Sequence, residues 1–274
     1  KFSFGKHRRF RRVHVLRGLS LRIIRRAQKR LLGLRQDPAA KPRKASPADR
    51  EVLRLALREL DRTILSGKRD AAVMLLGHAV ASRGSELKPL DWPDSFTPLP
   101  DGGLRASVYR KKRKMWQDVD IPLDPDPELC AVRAVHALAE ELAHNGHTRG
   151  ALFLRMDRWG YLAPPMQRHG KPIGDPDGGM TVEALSDIIQ RSIERTGLPG
   201  RWRSHSTRLG FVKSSRKANV DIVQIGRHGG WDDKSKALIG YVDEEDAQGE
   251  NNPLAQIGRK AVEKPEADQG GSPR

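Results

Sequence analysis

The chain has 274 residues, enough for one large domain or two small ones with a sizeable core. Hydrophobic residues make up 37% and charged residues 31%, which sets aside collagen, coiled-coil and disulfide-scaffold architectures and leaves a soluble fold with ragged ends. A single cysteine, Cys130, permits no internal disulfide, and no basic-apolar-small leader opens the chain, so a reducing, cytoplasmic address is expected. The longest nearly apolar stretch, Ala71 to Ala81, is half of the ~20 residues a membrane span needs, so no membrane protein is expected.

The net charge of +17 is unevenly spread. Residues 1–45 hold 16 Lys or Arg and one acid, whereas the rest of the chain holds 35 bases and 33 acids. This arm, with Arg8, Arg9, Arg11 and Arg12 in one run, points to a polyanionic partner. A second run, Arg110, Lys111, Lys112, Arg113 and Lys114, stands inside the otherwise balanced body. Arg outnumbers Lys two to one, and the planar guanidinium grips phosphate through two hydrogen bonds, so nucleic acid is favoured over membrane.

In chain order, Val13, Leu16, Leu19, Ile23 and Leu31 give residues 11–35 helical apolar spacing. Residues 36–45, with two prolines and no apolar period, read as a linker. Ser46 is expected to cap a helix with Pro47 at its first position and Leu53, Leu57, Leu60 and Ile64 on one face, stopping at Ser66-Gly67. Asp70 to Leu90 reads as a more buried helix that breaks near Gly84. Strand alternation in Leu104–Arg110 and Gln117–Leu123 predicts a β-hairpin whose turn carries the basic run. A helix over Pro127–His144, a strand over Ala151–Leu154 and a Gly/Pro-rich loop to Gly179 follow. Thr181 caps a helix to Thr196, Ser204–Asn219 forms another, Asp221 caps a short one ending at Gly229-Gly230, and Ser235–Val242 gives the last. Residues 258–274 read as a disordered tail. The fold class is therefore α+β, a mostly helical body with a small antiparallel β-sheet preceded by a basic helical arm.

Within that body, Arg83-Gly-Ser-Glu86 places a carboxylate one turn after an arginine, a spacing that can hold the guanidinium still. His205-Ser-Thr-Arg208 puts an imidazole and a guanidinium on one helix face, although His14-Val-Leu-Arg17 repeats that pattern in the arm. Lys112 lies in the hairpin turn, Trp231 follows the Gly-Gly break, and Tyr241, one of three tyrosines, lies in the last helix. Metal-ligand spacing, a P-loop and a magnesium-type acidic cluster are all missing from the sequence.

The order Arg83, Lys112, His205-x-x-Arg208, Trp231, Tyr241 resembles the tyrosine recombinase, or phage integrase, family over residues 46–257, its catalytic domain. The first box is matched by the segment from Leu75 to Trp92 around Arg83 and Glu86. Ser204-His-Ser-Thr-Arg-Leu-Gly-Phe211 matches the second. Trp231 stands 26 residues after His205, where histidine is commoner, and Tyr241 follows ten residues later at the nucleophile position. Lys112 fits the hairpin lysine best, with Lys111 and Lys114 as rivals. The family's N-terminal DNA-gripping domain is a full helical bundle, so residues 1–35 would be the remnant of one in a truncated sequence.

The resemblance implies a site-specific recombinase or integrase that needs no cofactor. It would cut and rejoin double-stranded DNA through a 3′-phosphotyrosyl intermediate, as a homo-tetramer on paired sites, in a cytoplasmic, nucleoid-associated setting. In that scheme Tyr241 attacks, Arg83 and Arg208 hold the non-bridging oxygens, Lys112 protonates the leaving oxygen, His205 accepts the tyrosine proton or bonds the phosphate, and Trp231 donates or packs. Arg110, Lys111, Arg113, Lys114 and the arm arginines bind DNA. A type IB topoisomerase-like strand transferase and a non-catalytic DNA-binding relic are the alternatives.

Overall fold

In the computed structural model the described residues are 44–248 apart from 233 and 234, so the basic arm, most of the linker and the C-terminal tail lie outside them. Helix α1 spans Arg50–Arg58, α2 Leu65–Ala79 and α3 Gly84–Leu87, followed by strands β1 Asp91–Trp92, β2 Phe96–Pro98, β3 Leu104–Arg110 and β4 Met115–Ile121. Then come α4 Ala131–His144, β5 Gly150–Ala151, β6 Gln167–Arg168, β7 Lys171–Pro172, α5 Val182–Glu194, α6 Ser204–Lys217, α7 Ile222–Gly229 and α8 Lys236–Gln248. This is the expected α+β class, mostly helical with small antiparallel sheets.

Helix α2 is the centre of the body. It packs against α4 on one side and α6 and α5 on others, and ten of its fifteen residues are buried, which is why it shows little amphipathic pattern. The core gathers Leu76, Leu87, Leu138, Leu142, Phe153, Leu185 and Ile189. A second cluster of Ala81, Val212, Ile225, Trp231, Leu238 and Val242 joins α6, α7 and α8.

Local chemistry explains where the elements depart from expectation. Asp49, not Ser46, caps α1, accepting the Val52 amide (3.2 Å), while Ser46 Oγ takes the Arg201 amide (3.0 Å). Gly67 does not stop a helix. It lies in the first turn of α2, where a Cβ would fall 1.8 Å from the Asp61 carbonyl oxygen. Strand β2, unannounced by any alternation, pairs with β3 through Phe96↔Ala106, making a three-stranded antiparallel sheet β2-β3-β4. Of the strand expected over Ala151–Leu154 only Ala151 is in regular structure, as the end of β5, which pairs with β1, and Leu154 makes an isolated bridge to Gly179. The loop after it contains the β6-β7 hairpin. Thr181 and Asp221 cap α5 and α7 as expected.

Candidate active site

Four segments converge. The first is the turn from Val80 to Arg83 after α2, where Ala81 adopts φ 47°, and the short helix α3 that Arg83 opens. Glu86, fully buried, accepts the Arg83 amide at Oε2 (3.2 Å) and the Arg83 guanidinium at Oε1 (2.7 Å). Burial raises the Glu86 pKa, but the Arg83 amide and guanidinium and the charge of Arg110 outweigh it and hold the carboxyl below its ordinary value. The Arg83 side chain stays about a third exposed, with its other donors unpartnered among the described residues.

The second segment is the first turn of α6. Its approach to α3 requires Gly84, whose added Cβ would lie 3.0 Å from Ser204. His205 and Arg208, three residues apart, share one face. The Arg208 side chain is fully buried; Nη1 donates to the carbonyls of Ala81 and Gly229 (2.8 Å to the latter), while Nε and Nη2 have no hydrogen-bond partner among the described residues. Burial, then the neighbouring Arg83 charge, pushes its pKa down to about 9, so the group remains charged at neutral pH.

The third segment is the end of α7. Gly230 turns left-handed (φ 65°), and the Trp231 amide caps the Gly226 carbonyl (2.9 Å). Gly229 makes room for the indole, since a Cβ there would lie 1.7 Å from the ring. Trp231, 4% exposed, covers the Arg208 guanidinium, whose carbon sits 3.4 Å from the ring centroid, a cation–π contact that shields the charge from water. The His228 imidazole plays no part in this cluster: its Nε2–H donates to the Ala79 carbonyl (2.6 Å) and its ring stacks on Phe211.

The fourth segment is α8. Tyr241 Oη lies 3.0 Å from His205 Nε2. Burial, with the charges of Arg208 and Arg83, drives the His205 pKa down to about 4, so at neutral pH the imidazole is uncharged, and with its proton on Nδ1 it accepts the phenol hydrogen at Nε2. The other tyrosines stand elsewhere: Tyr109 packs against Trp116 with the rings tilted, and Tyr161 is exposed in the long loop.

Arg83, His205, Arg208, Trp231 and Tyr241 are thus brought together. Lys112 is in the exposed β3-β4 turn with Lys111, Arg113 and Lys114, without a partner among the described residues, and Arg113 Nη1 ties that turn to the Trp231 carbonyl (3.3 Å). Arg110 departs from the expectation of a DNA-facing cation. It is buried, with its donors on Glu86, Gln117, Val80 and His228. The strand period contained the signal, since Arg110 is in phase with Leu104, Ala106 and Val108 on the inward face of β3. Gln117, whose amide donates to the Arg227 carbonyl (2.7 Å), was not singled out by any motif. Arg8, Arg9, Arg11 and Arg12 lie outside the described residues. Among the described residues no three His, Cys, Asp or Glu side chains gather as a metal site, and no helix is long and apolar enough to cross a membrane.

The fold resembles that of the catalytic domain of tyrosine recombinases, and the comparisons with known proteins point to the same likeness. In sequence the chain is similar to an integrase/recombinase XerD homologue of Selenomonas ruminantium, 27% identical over 197 residues. That match covers 71% of this chain and 53% of the relative, so the chain spans about half the relative's length. In structure it is similar to a XerH site-specific recombinase bound to palindromic difH substrate in a post-cleavage complex (TM-score 0.53, 15% identity, 82% of this chain and 55% of that one). The pre-cleavage complex of XerH with difH gives TM-score 0.52 at 16% identity, covering 84% and 59%. No protein-family model matches the chain.

Proposed function

We propose that the chain is a site-specific DNA recombinase or integrase that cuts and rejoins DNA through a 3′-phosphotyrosyl intermediate. The observation that carries the reading is the pair His205 Nε2 and Tyr241 Oη at 3.0 Å beside a buried arginine with two uncommitted nitrogens. A neutral imidazole takes the phenol proton as Tyr241 attacks phosphorus, which is the arrangement a nucleophile and its base require.

Negative charge then builds on the non-bridging oxygens. Arg208, with Nε and Nη2 free, and Arg83, held by Glu86, are the donors for them, each worth about 3 kcal/mol of transition-state stabilisation. Trp231 holds the Arg208 plane and excludes water from it. The leaving 5′-oxygen takes its proton from Lys112 on the exposed turn, with Lys111, Arg113 and Lys114 gripping the adjacent backbone. The partner is double-stranded DNA, a reading supported by the likeness to XerH bound to its difH substrate, and the chain acts as a homo-tetramer on paired sites. In this reading residues 46–257 are the catalytic domain and residues 1–35 a basic arm that adds phosphate contacts through linker 36–45.

The test uses nicked duplexes selected from a random-sequence pool by binding to the wild-type chain, since a nick near the cut traps the covalent adduct. Tyr241→Phe removes one oxygen and no charge, so the adduct disappears while binding stays nearly unchanged. Adduct persisting in the phenylalanine variant refutes the assignment.

A further inference from the structure

Arg110 is, with Arg208, the largest fully buried side chain among the described residues, but it leaves no nitrogen uncommitted for a phosphate. Every nitrogen of its guanidinium has a partner. Nε donates to Gln117 Oε1 (2.9 Å), Nη1 to Glu86 Oε2 (3.2 Å), and Nη2 to the carbonyls of Val80 and His228 (both 3.0 Å). Arg208 bridges the adjacent residue on the same two segments, bonding the Ala81 and Gly229 carbonyls. Two guanidinium groups therefore tie the turn after α2 to the end of α7 side by side. Backbone at Gly230 is shaped around the deeper one: a Cβ there would lie 2.8 Å from Arg110 Nε and 2.6 Å from Gln117 Oε1.

A buried arginine is an expensive way to fill space, because apolar residues of similar volume usually stabilise as well or better. What an apolar residue could not do is bond three separate segments at once. Arg110 is also the last residue of β3, two positions before Lys112, a span of at most ~7 Å. Resting on the recombinase reading above, we infer that Arg110 is a positioning residue: it clamps the root of the β3-β4 turn to Glu86 and to the His228 carbonyl, and so sets where Lys112 stands over the leaving 5′-oxygen. In the step served, the Tyr241 Oη–P bond forms and the P–O5′ bond breaks; the phenol proton passes to His205, and Lys112 supplies the proton that makes the 5′-hydroxyl.

The role predicts dependence on the leaving group. On the selected nicked duplexes, Arg110→Met slows cleavage of the ordinary phosphodiester about 10²-fold, but slows a substrate with sulfur at the 5′-bridging position, whose thiolate leaves without a proton, less than about threefold. Gln117→Ala breaks one arm of the clamp and leaves the Glu86–Arg110 pair in place, so it shows the same contrast at about tenfold even if Arg110→Met fails to fold. Lys112→Ala is the reference for the full contrast. Equal slowing of both substrates by Gln117→Ala overturns the positioning role alone, because wild-type cleavage is intact. No adduct from the wild-type chain on either substrate overturns the recombinase reading and this inference with it.

Discussion

Replacing Glu86 by Gln keeps the side chain's volume and removes the negative charge that three guanidinium groups share. Its oxygens lie 2.7 Å from Arg83 Nη1, 3.2 Å from Arg110 Nη1 and 4.0 Å from Arg208 Nη1, and the carboxylate is fully buried. Breaking a buried ion pair by removing one partner costs about 3–5 kcal/mol, and the lower end applies because Gln retains one acceptor oxygen. At about 2 kcal/mol per molar urea, a loss near 3 kcal/mol moves the unfolding midpoint down by about 1.5 M with an unchanged slope. Burial makes the effect insensitive to salt, so it persists at about 1 M sodium chloride, where exposed pairs are screened. Because the folded carboxyl titrates below its ordinary 4.5, its contribution is present above pH 4.5 and is lost as pH falls through the folded value, where variant and wild type converge. The measurement is urea unfolding followed by circular dichroism at several pH and salt conditions. A midpoint shift below about 0.5 M, or one abolished by salt, would mean that Glu86 is not the buried counter-charge of this cluster.

Gly230→Ala places a Cβ at φ 65° against Arg110 and Gln117, and should lower stability by about 2–4 kcal/mol from left-handed strain plus displacement of a buried guanidinium; an unchanged melting temperature would contradict the packing. Arg208→Lys cannot hold the Ala81 and Gly229 carbonyls and still offer a planar pair of free donors, so covalent adduct formation should fall about 10²–10³-fold, and normal cleavage removes Arg208 from the site. Burial sets the folded pKa of both His78 and His205 near 4, below the ordinary 6.5, so the unfolded chain binds more protons between these values and stability falls on acidification across that window. His78→Leu should flatten that pH dependence by about one proton, and an unaltered slope would show that His78 titrates normally. Deleting residues 1–45, which hold 16 bases and one acid, should weaken DNA binding at low salt and reduce the slope of log K against log salt by about 0.9 for each phosphate that the arm neutralises; an unchanged slope means it neutralises none.

Local chemistry made much of the molecule legible in the chain itself. Thr181 and Asp221 announced helix starts because a short side chain that accepts an amide proton is useful only there. The three-residue spacings of Arg83 to Glu86 and His205 to Arg208 put each pair on one face wherever the helices lie, so both pairings were readable before any tertiary contact. The hairpin was readable from its period of two, and its basic turn from composition. What failed locally were boundaries where a distant group supplied the partner. Ser46 looks like a cap but bonds Arg201 155 residues away, and Gly67 looks like a stop but is a close approach to the Asp61 carbonyl.

Other features existed only once the chain had folded. The 3.0 Å contact of His205 with Tyr241 joins residues 36 apart, and the division of Arg208's donors into bonded and uncommitted depends on carbonyls at Ala81 and Gly229 that no motif marks. Trp231 carries the same indole in any setting, but its place over a guanidinium is decided by Gly229 and left-handed Gly230. Arg110 shows the division most clearly. As one of five consecutive cations it reads as a phosphate ligand, and charge alone cannot distinguish it from Lys111 or Lys114. The pleat of β3 sends its neighbours to solvent and turns it inward, where burial is tolerable only because Glu86, Gln117 and two carbonyls arrive from three other segments to meet it.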